Sequence, residues 1–232
     1  METGGEQMNI NGNSNQMELH KLVGPALTAM RETQTQDLPM NIKSLEAEFA
    51  FETFGEPKLQ EMITAAGCFL NAVAAHGSLS GRWLTLTGRS GTGKTHLASK
   101  IAKIVKRRRV DERIITPSRW TFFRARTLKW GSFVDALMAG EWGIVRELSE
   151  VDFLFLDEIG DEAVGTREIA FSKFGRVCDA RLGKWTVFTS NLGLEHIAKI
   201  DARISSRMLR QGNVVVDVGG NVSDYALRRR NG

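Results

Sequence analysis

Residues Gly88, Arg89, Ser90, Gly91, Thr92, Gly93, Lys94 and Thr95 match the pattern G-x-x-x-x-G-K-[ST] at every position. The chemistry they suit is a grip on a polyphosphate. Glycine permits backbone angles closed to other residues and lets N–H groups approach phosphate oxygens. In such a loop Lys94 reaches the β and γ phosphates, and the Thr95 hydroxyl is a magnesium ligand. A helix starting at Lys94 turns the positive end of its dipole toward the same charge. With His96, which follows directly, these residues form the candidate nucleotide-binding stretch. A glycine-rich loop without a ligand is the bland alternative, and a position between an apolar strand and a helix argues against it.

A second group follows the run Phe153-Leu154-Phe155-Leu156. Asp157 and Glu158 come at its C-terminal end, where parallel sheets bind ligands. Adjacent buried acids are costly without a cation. Asp157 suits hydrated magnesium, and Glu158 suits orienting and polarising an attacking water. The triplet Thr189, Ser190 and Asn191 ends another apolar run. It either sets an amide beside the γ-phosphate or caps the helix that follows. Arg203 and Arg207 stand four apart on a predicted helix, so they share a face. They act on a neighbouring subunit's γ-phosphate, or they form surface ion pairs with Asp201 or Glu195.

These groups need a frame. Leu59, Met62, Ile63, Ala66, Phe69, Leu70 and Val73 form a helical stripe over 58–76. Beyond it, short apolar strands at 83–87, 113–116, 151–156, 185–189 and 214–218 alternate with helices near 94–108, 131–139, 166–181 and 194–210. That alternation predicts an α/β fold whose parallel five-stranded sheet is covered on both faces. Upstream, residues 1–16 have a disordered composition, a modest helical pattern covers 17–37, and an acidic helix is expected near 43–52. The expected division is an N-terminal extension over 1–57, with a possible partner-binding role, and an ATPase domain over 58–232.

Composition narrows the class. Of 232 residues, 42% are hydrophobic and 25% charged, an ordinary globular balance. Two cysteines exclude a disulfide scaffold, and the four histidines show no metal-ligand spacing. No apolar run is long enough to cross a bilayer, and the first residues lack a signal-peptide pattern, so a cytoplasmic protein without a membrane partner is expected. The net charge of +4 conceals an asymmetry. Residues 1–62 hold ten acids against four bases, whereas 100–130 hold eleven bases against two acids. The basic block is either a phosphate-backbone surface or a solvated helix face. Within it Arg119, Trp120, Phe122, Phe123, Arg124, Arg126, Lys129 and Trp130, with Trp142 beyond, either stack single-stranded bases or, for the aromatics, pack in the core.

Taken in order, the loop 88–95 with His96-Leu97-Ala98, the run Phe153 to Gly160, the triplet 189–191 and the segment Arg203 to Met208 resemble an AAA+ ATPase. The DnaC-like helicase loaders and their IstB-like transposition relatives are the branch most similar, through Asp157 to Gly160, Val177 to Arg181 and the ending from Asn213. The resemblance covers about residues 58–230. It implies the strand order of AAA+ cores without a full C-terminal lid and a Mg2+-dependent hydrolysis of ATP to ADP, while the residue pattern of 1–57 adds a small helical N-terminal extension. It implies that Asn191 is sensor 1 and that Arg203 and Arg207 belong to the arginine-finger motif, Arg207 being the expected finger. It further implies a homo-oligomer in the ATP state, single-stranded DNA as ligand and a hexameric replicative helicase as partner. The alternative is an IstB-like regulator of a transposase on duplex DNA, and a third reading is a P-loop switch with no DNA role.

Overall fold

The computed structural model describes residues 41–76, 81–115, 124–162 and 164–219, with 222, 224, 225 and 227. Contacts divide the chain into Met1–Pro39 and Met40–Gly232. The first unit, with the helix expected over 17–37, lies outside the described residues, as do Arg119, Trp120, Phe122 and Phe123.

The second unit opens with helix α1, Ile42–Phe49, whose N-cap Asn41 accepts a hydrogen bond from the Lys43 amide. Ala50 ends it in a left-handed conformation. Helix α2, Pro57–His76, begins with a proline, whose missing N–H costs nothing in the first turn. Strand β1, Trp83–Thr87, then leads through the glycine loop into α3, Lys94–Ile115. The remaining elements are β2, Ala125–Lys129; α4, Trp130–Met138; α5, Gly143–Glu150; and β3, Phe153–Ile159. They are followed by α6, Arg167–Ala180; β4, Trp185–Ser190; α7, Leu194–Ile200; α8, Ala202–Met208; and β5, Val214–Asp217.

The five strands form one sheet in the order β2-β3-β4-β1-β5. Every neighbouring pair is parallel. The fold is therefore the α/β fold with a parallel five-stranded sheet that the strand–helix alternation predicts, consistent with the P-loop AAA+ core that the resemblance implies. Successive side chains alternate between the two faces. Phe153, Phe155, Leu84, Leu86 and Val187 join α1, α2 and α3 in one core. Leu154, Leu156, Trp83 and Phe188 join the core beneath α4, α6, α7 and α8. Burial on both faces explains why these strands read as unbroken apolar runs, and each large side chain so buried contributes about 1.5–3 kcal/mol.

Leu45, Phe49 and Phe51 lie in the same core as Leu59 and Leu97, so the compact unit begins upstream of residue 57. The second strand is also displaced. Arg113, Ile114 and Ile115 belong to α3, and β2 runs from Ala125 to Lys129. β2 is an edge strand with a mostly exposed face, so its polar sequence, Ala-Arg-Thr-Leu-Lys, gives little strand signal. The helix expected over 194–210 is broken at Asp201, whose extended backbone (φ −150°) lets its side chain cap α8 through the Arg203 amide. Trp130 is fully buried among Phe133, Phe171 and Phe174, which excludes it from stacking on DNA.

Candidate nucleotide site

The loop between β1 and α3 owes its shape to Gly88, Gly91 and Gly93, at φ 131°, 81° and 88°. A β-carbon at Gly93 would lie 2.9 Å from the Phe51 ring, so the loop is packed from outside and leaves no room for a larger residue there. Lys94 is 5% exposed. Its ammonium donates to the carbonyls of Gly88 and Arg89, both at 2.7 Å, and reaches Asn191 Oδ1 at 3.3 Å. Burial pushes its pKa down to about 8, against the pull of Asp157, Glu158 and Asp217.

Asp157 lies near the end of β3, which β4 separates from β1 in the sheet. Its Oδ1 accepts from Thr95 Oγ1 at 2.8 Å and from Thr189 Oγ1 at 2.5 Å. A carboxylate and a hydroxyl, both hard oxygen donors, thus meet at the mouth of the phosphate loop, a donor set that fits hydrated magnesium. Glu158 follows in a left-handed conformation, φ 62°, where the β3–β4 register shifts between Leu156 and Ile159. A non-glycine residue held there costs about 1–3 kcal/mol, and such strain gathers at functional sites. The Thr189 hydroxyl accepts from the Glu158 amide at 2.9 Å and fixes the bend. The Glu158 carboxylate is turned toward Lys129 at 3.5 Å.

Ser190 bonds to Ile159 O and receives the Leu192 amide, which sets Asn191 at the end of β4 facing Lys94. The residue capping α7 is Gly193, without a side-chain bond, so Ser190 and Asn191 do not serve as that cap. Ser90, Gly91, Thr92, Gly93, Lys94, Thr95, His96, Glu158 and Asn191 line one cavity of about 680 Å³ together with Tyr225. The loop, Glu158 and Asn191, from three distant stretches of sequence, therefore converge, and Tyr225 joins them from a fourth.

Arg203 and Arg207 are not part of this cavity. Arg203 is 71% exposed and clasps Asp201 at 2.8 Å. Arg207 is turned inward, paired with Asp179 and bonded to Arg203 O at 2.8 Å. The edge-strand bases are also paired: Arg124 with Glu150, Arg126 with Glu147, and Lys129 with Glu158. Trp142 is exposed and carries Lys173 over its ring at 4.8 Å.

Sequence reasoning missed an aromatic bracket over the loop. Tyr225 donates its amide to Gly91 O at 2.6 Å and stacks on Phe51 with ring centres 4.5 Å apart. Its hydroxyl accepts from the Glu52 amide at 3.1 Å, and the His96 ring lies 5.7 Å away. Nothing in a lone tyrosine so far along the chain announces that contact. Arg181 was also passed over as chemistry. It is fully buried and donates to the carbonyls of Leu148, Val151 and Trp185 and to Thr186 Oγ1.

Residues 45–216 match the family described as the bacterial DnaA ATPase domain. A chromosomal replication initiator protein DnaA from Cereibacter sphaeroides is 31% identical over 189 residues, which is 79% of this chain and 38% of that protein. The chain thus spans well under half of the relative's length. Among solved structures, DnaI superposes with a TM-score of 0.56 at 20% identity over 79% of this chain and 93% of its own. The DnaC helicase loader gives 0.50 at 18% identity, over 70% and 90%. Replication initiator DnaA bound to AMPPCP and single-stranded DNA gives 0.51 at 17% identity, over 76% and 50%. At these identities the structural likeness speaks for the fold alone.

Proposed function

Because the chain belongs to the family of bacterial DnaA ATPase domains, we propose that it is an ATP-hydrolysing AAA+ protein of DNA replication. In this reading it binds single-stranded DNA, assembles with copies of itself in the ATP state and engages a hexameric replicative helicase. The observation that carries the ATPase reading is the convergence of Lys94, Thr95, Glu158 and Asn191 on one cavity, with Asp157 buried behind it and bonded to Thr95. Support for the DNA and helicase parts comes from the relatives: one neighbour holds single-stranded DNA and another is a helicase loader.

In this reading Lys94 leaves the carbonyls of Gly88 and Arg89 for the β and γ phosphate oxygens of ATP. The exchange is favourable because a phosphate dianion attracts the ammonium more strongly than neutral carbonyls do. Thr95 and Asp157 would hold Mg2+, which when bound draws charge from the phosphate oxygens. Glu158 orients the attacking water and takes up its proton as the bond to the γ-phosphorus forms and the bond to ADP breaks. Asn191 donates its amide to the same phosphoryl group. Arg207 serves a neighbour's γ-phosphate after exchanging Asp179 for it, and Arg203 braces the same helix through Asp201.

The test combines turnover with partner capture. Phosphate release is measured with and without a single-stranded oligonucleotide, and tagged protein is mixed with the replicative helicase in ATP and in ADP. DNA-stimulated release together with nucleotide-dependent capture supports the proposal. Turnover indifferent to DNA, with no capture in either state, would contradict it.

A further inference from the structure

The dense basic block has two separate parts in the fold. Its later part, on β2 and just before it, lies against acids: Arg126 faces Glu147, Lys129 faces Glu158, and Arg124 shares Glu150 with Arg146. Its earlier part lies on α3. There Lys100, Lys103, Lys106 and Arg107 form no ion pair among the described residues. Between residues 94 and 107 the helix carries no acid at all.

At 3.6 residues per turn, these four positions fall within an arc of about 120° on the helix surface. Leu97, Ala98, Ile101, Ala102 and Val105 occupy the opposite side and are buried. The cations therefore form one ridge that the packing of α3 turns to solvent. Lys103, Lys106 and Arg107 are exposed and Lys100 is half-buried. From Lys100 to Arg107 the ridge runs roughly 10 Å along the axis, at 1.5 Å per residue. That is the length of about three phosphates on one strand of a duplex, at 3.4 Å each. The large apolar side chains exposed among the described residues are Met138, Trp142, Ile169 and Leu227. None lies between residues 94 and 107 of α3, so this stretch lacks the apolar anchors with which a basic helix enters a membrane surface.

We infer that this ridge of α3, rather than the β2 edge, is the surface that grips the phosphate backbone of a nucleic acid. This inference rests on the proposed role at DNA and gives it a location. The placement has a mechanical consequence. The first turn of α3 carries Lys94 and Thr95, so one rigid element reaches both the nucleotide and the strand.

The test is fluorescence anisotropy with a labelled single-stranded oligonucleotide across a salt series, in the full chain with ATP present. Two variants are compared with the wild type: Lys100→Ala/Lys103→Ala/Lys106→Ala/Arg107→Ala and Arg124→Ala/Arg126→Ala. ATP affinity of each variant is measured in parallel to show an intact fold. The expected result is a loss of at least about tenfold for the α3 variant. The plot of log affinity against log salt should also flatten by about 2–3, at about 0.7 for each phosphate that is no longer neutralised. The β2 variant should bind within about twofold of the wild type, as its bases already have partners. An α3 variant with wild-type affinity and slope, or a β2 variant that loses as much, overturns the assignment while leaving the proposed function standing. A wild type that ignores the oligonucleotide but binds anionic vesicles overturns both.

Discussion

The ammonium of Lys129, at the end of the edge strand β2, lies 3.5 Å from the carboxylate of Glu158 on the adjoining strand β3. Strand register makes the meeting unavoidable, because Lys129 pairs with Asp157 in the ladder and Glu158 comes next. Both side chains are well exposed, at 69% and 38%, so the pair is worth about 1 kcal/mol or less. Glu158 can therefore leave it when water and substrate fill the cavity. Lys129→Ala should change turnover by less than about fivefold and leave ATP affinity unchanged, as steady-state phosphate release would read. A Lys129→Ala loss as deep as that of a catalytic residue would mean that Lys129 acts on the phosphates itself.

Lys94 gives the site a pH signature. With its pKa lowered to about 8 by burial, the free protein carries a partly neutral lysine above that pH. Phosphate favours the charged form, so nucleotide binding above pH 8 must take up a proton. Affinity for ADP should stay level up to about pH 8 and then decline by up to tenfold per pH unit. Calorimetry in buffers of different ionisation enthalpy reads the proton uptake directly. Stability runs in the opposite direction. The unfolded chain binds more protons between about pH 8 and the ordinary lysine value of 10.5, so this lysine's contribution becomes more favourable as pH rises across that window. Affinity that is flat from pH 7 to pH 9.5 would contradict the assignment.

Arg181 is a matter of stability. Its guanidinium ties the end of α5 to β4, with bonds of 2.8 Å to Leu148 O and Val151 O and 2.6 Å to Trp185 O. Arg181→Ala strands three buried carbonyls at about 1–3 kcal/mol each, so urea denaturation should show a loss of at least about 3 kcal/mol. Arg181→Lys should recover only part of it, since one ammonium cannot reproduce the planar fork. A loss under about 1 kcal/mol would show that water replaces the side chain freely.

Much of this was legible in the sequence where structure is local. The phosphate loop follows a buried strand and opens a helix, so the motif and its position came together. Asp157 and Glu158 end a strand buried on both faces, and their apolar prefix marks them. What stayed hidden depends on distance or on edges. Tyr225 meets Phe51 across most of the chain, and no periodicity encodes that stack. β2 looks polar because one side of it has no strand, whereas Ile114 and Ile115, apolar and β-branched, look like a strand but continue α3. Arg181 reads as one more surface charge until the backbone carbonyls around it are seen.

In the proposed assembly the arginines of α8 act between chains rather than within one. Arg207 is held by Asp179 in its own subunit, away from its own nucleotide cavity. Arg207→Ala should therefore leave nucleotide affinity within about twofold, yet remove the hydrolysis stimulated by assembly, where transition-state charge goes unmet. Mixing Arg207→Ala protein with Lys94→Ala protein should restore some activity, because some interfaces then pair an intact loop with an intact arginine. A mixture that stays inactive while both variants assemble would remove Arg207 from that role.

Glu158→Gln tests the central claim, since it keeps the size of the side chain and removes its charge and its ability to take a proton. ATP binding and phosphate release should be measured on the same preparations of wild type, Glu158→Gln and Lys94→Ala. The site predicts that Glu158→Gln binds ATP like the wild type while its turnover falls by about 10²-fold or more. Lys94→Ala should fail at binding, hydrolysis or both, having lost the cation that meets the β and γ phosphates. Glu158→Gln turnover equal to the wild type, with ATP bound, would contradict the account of this cavity as the hydrolytic site.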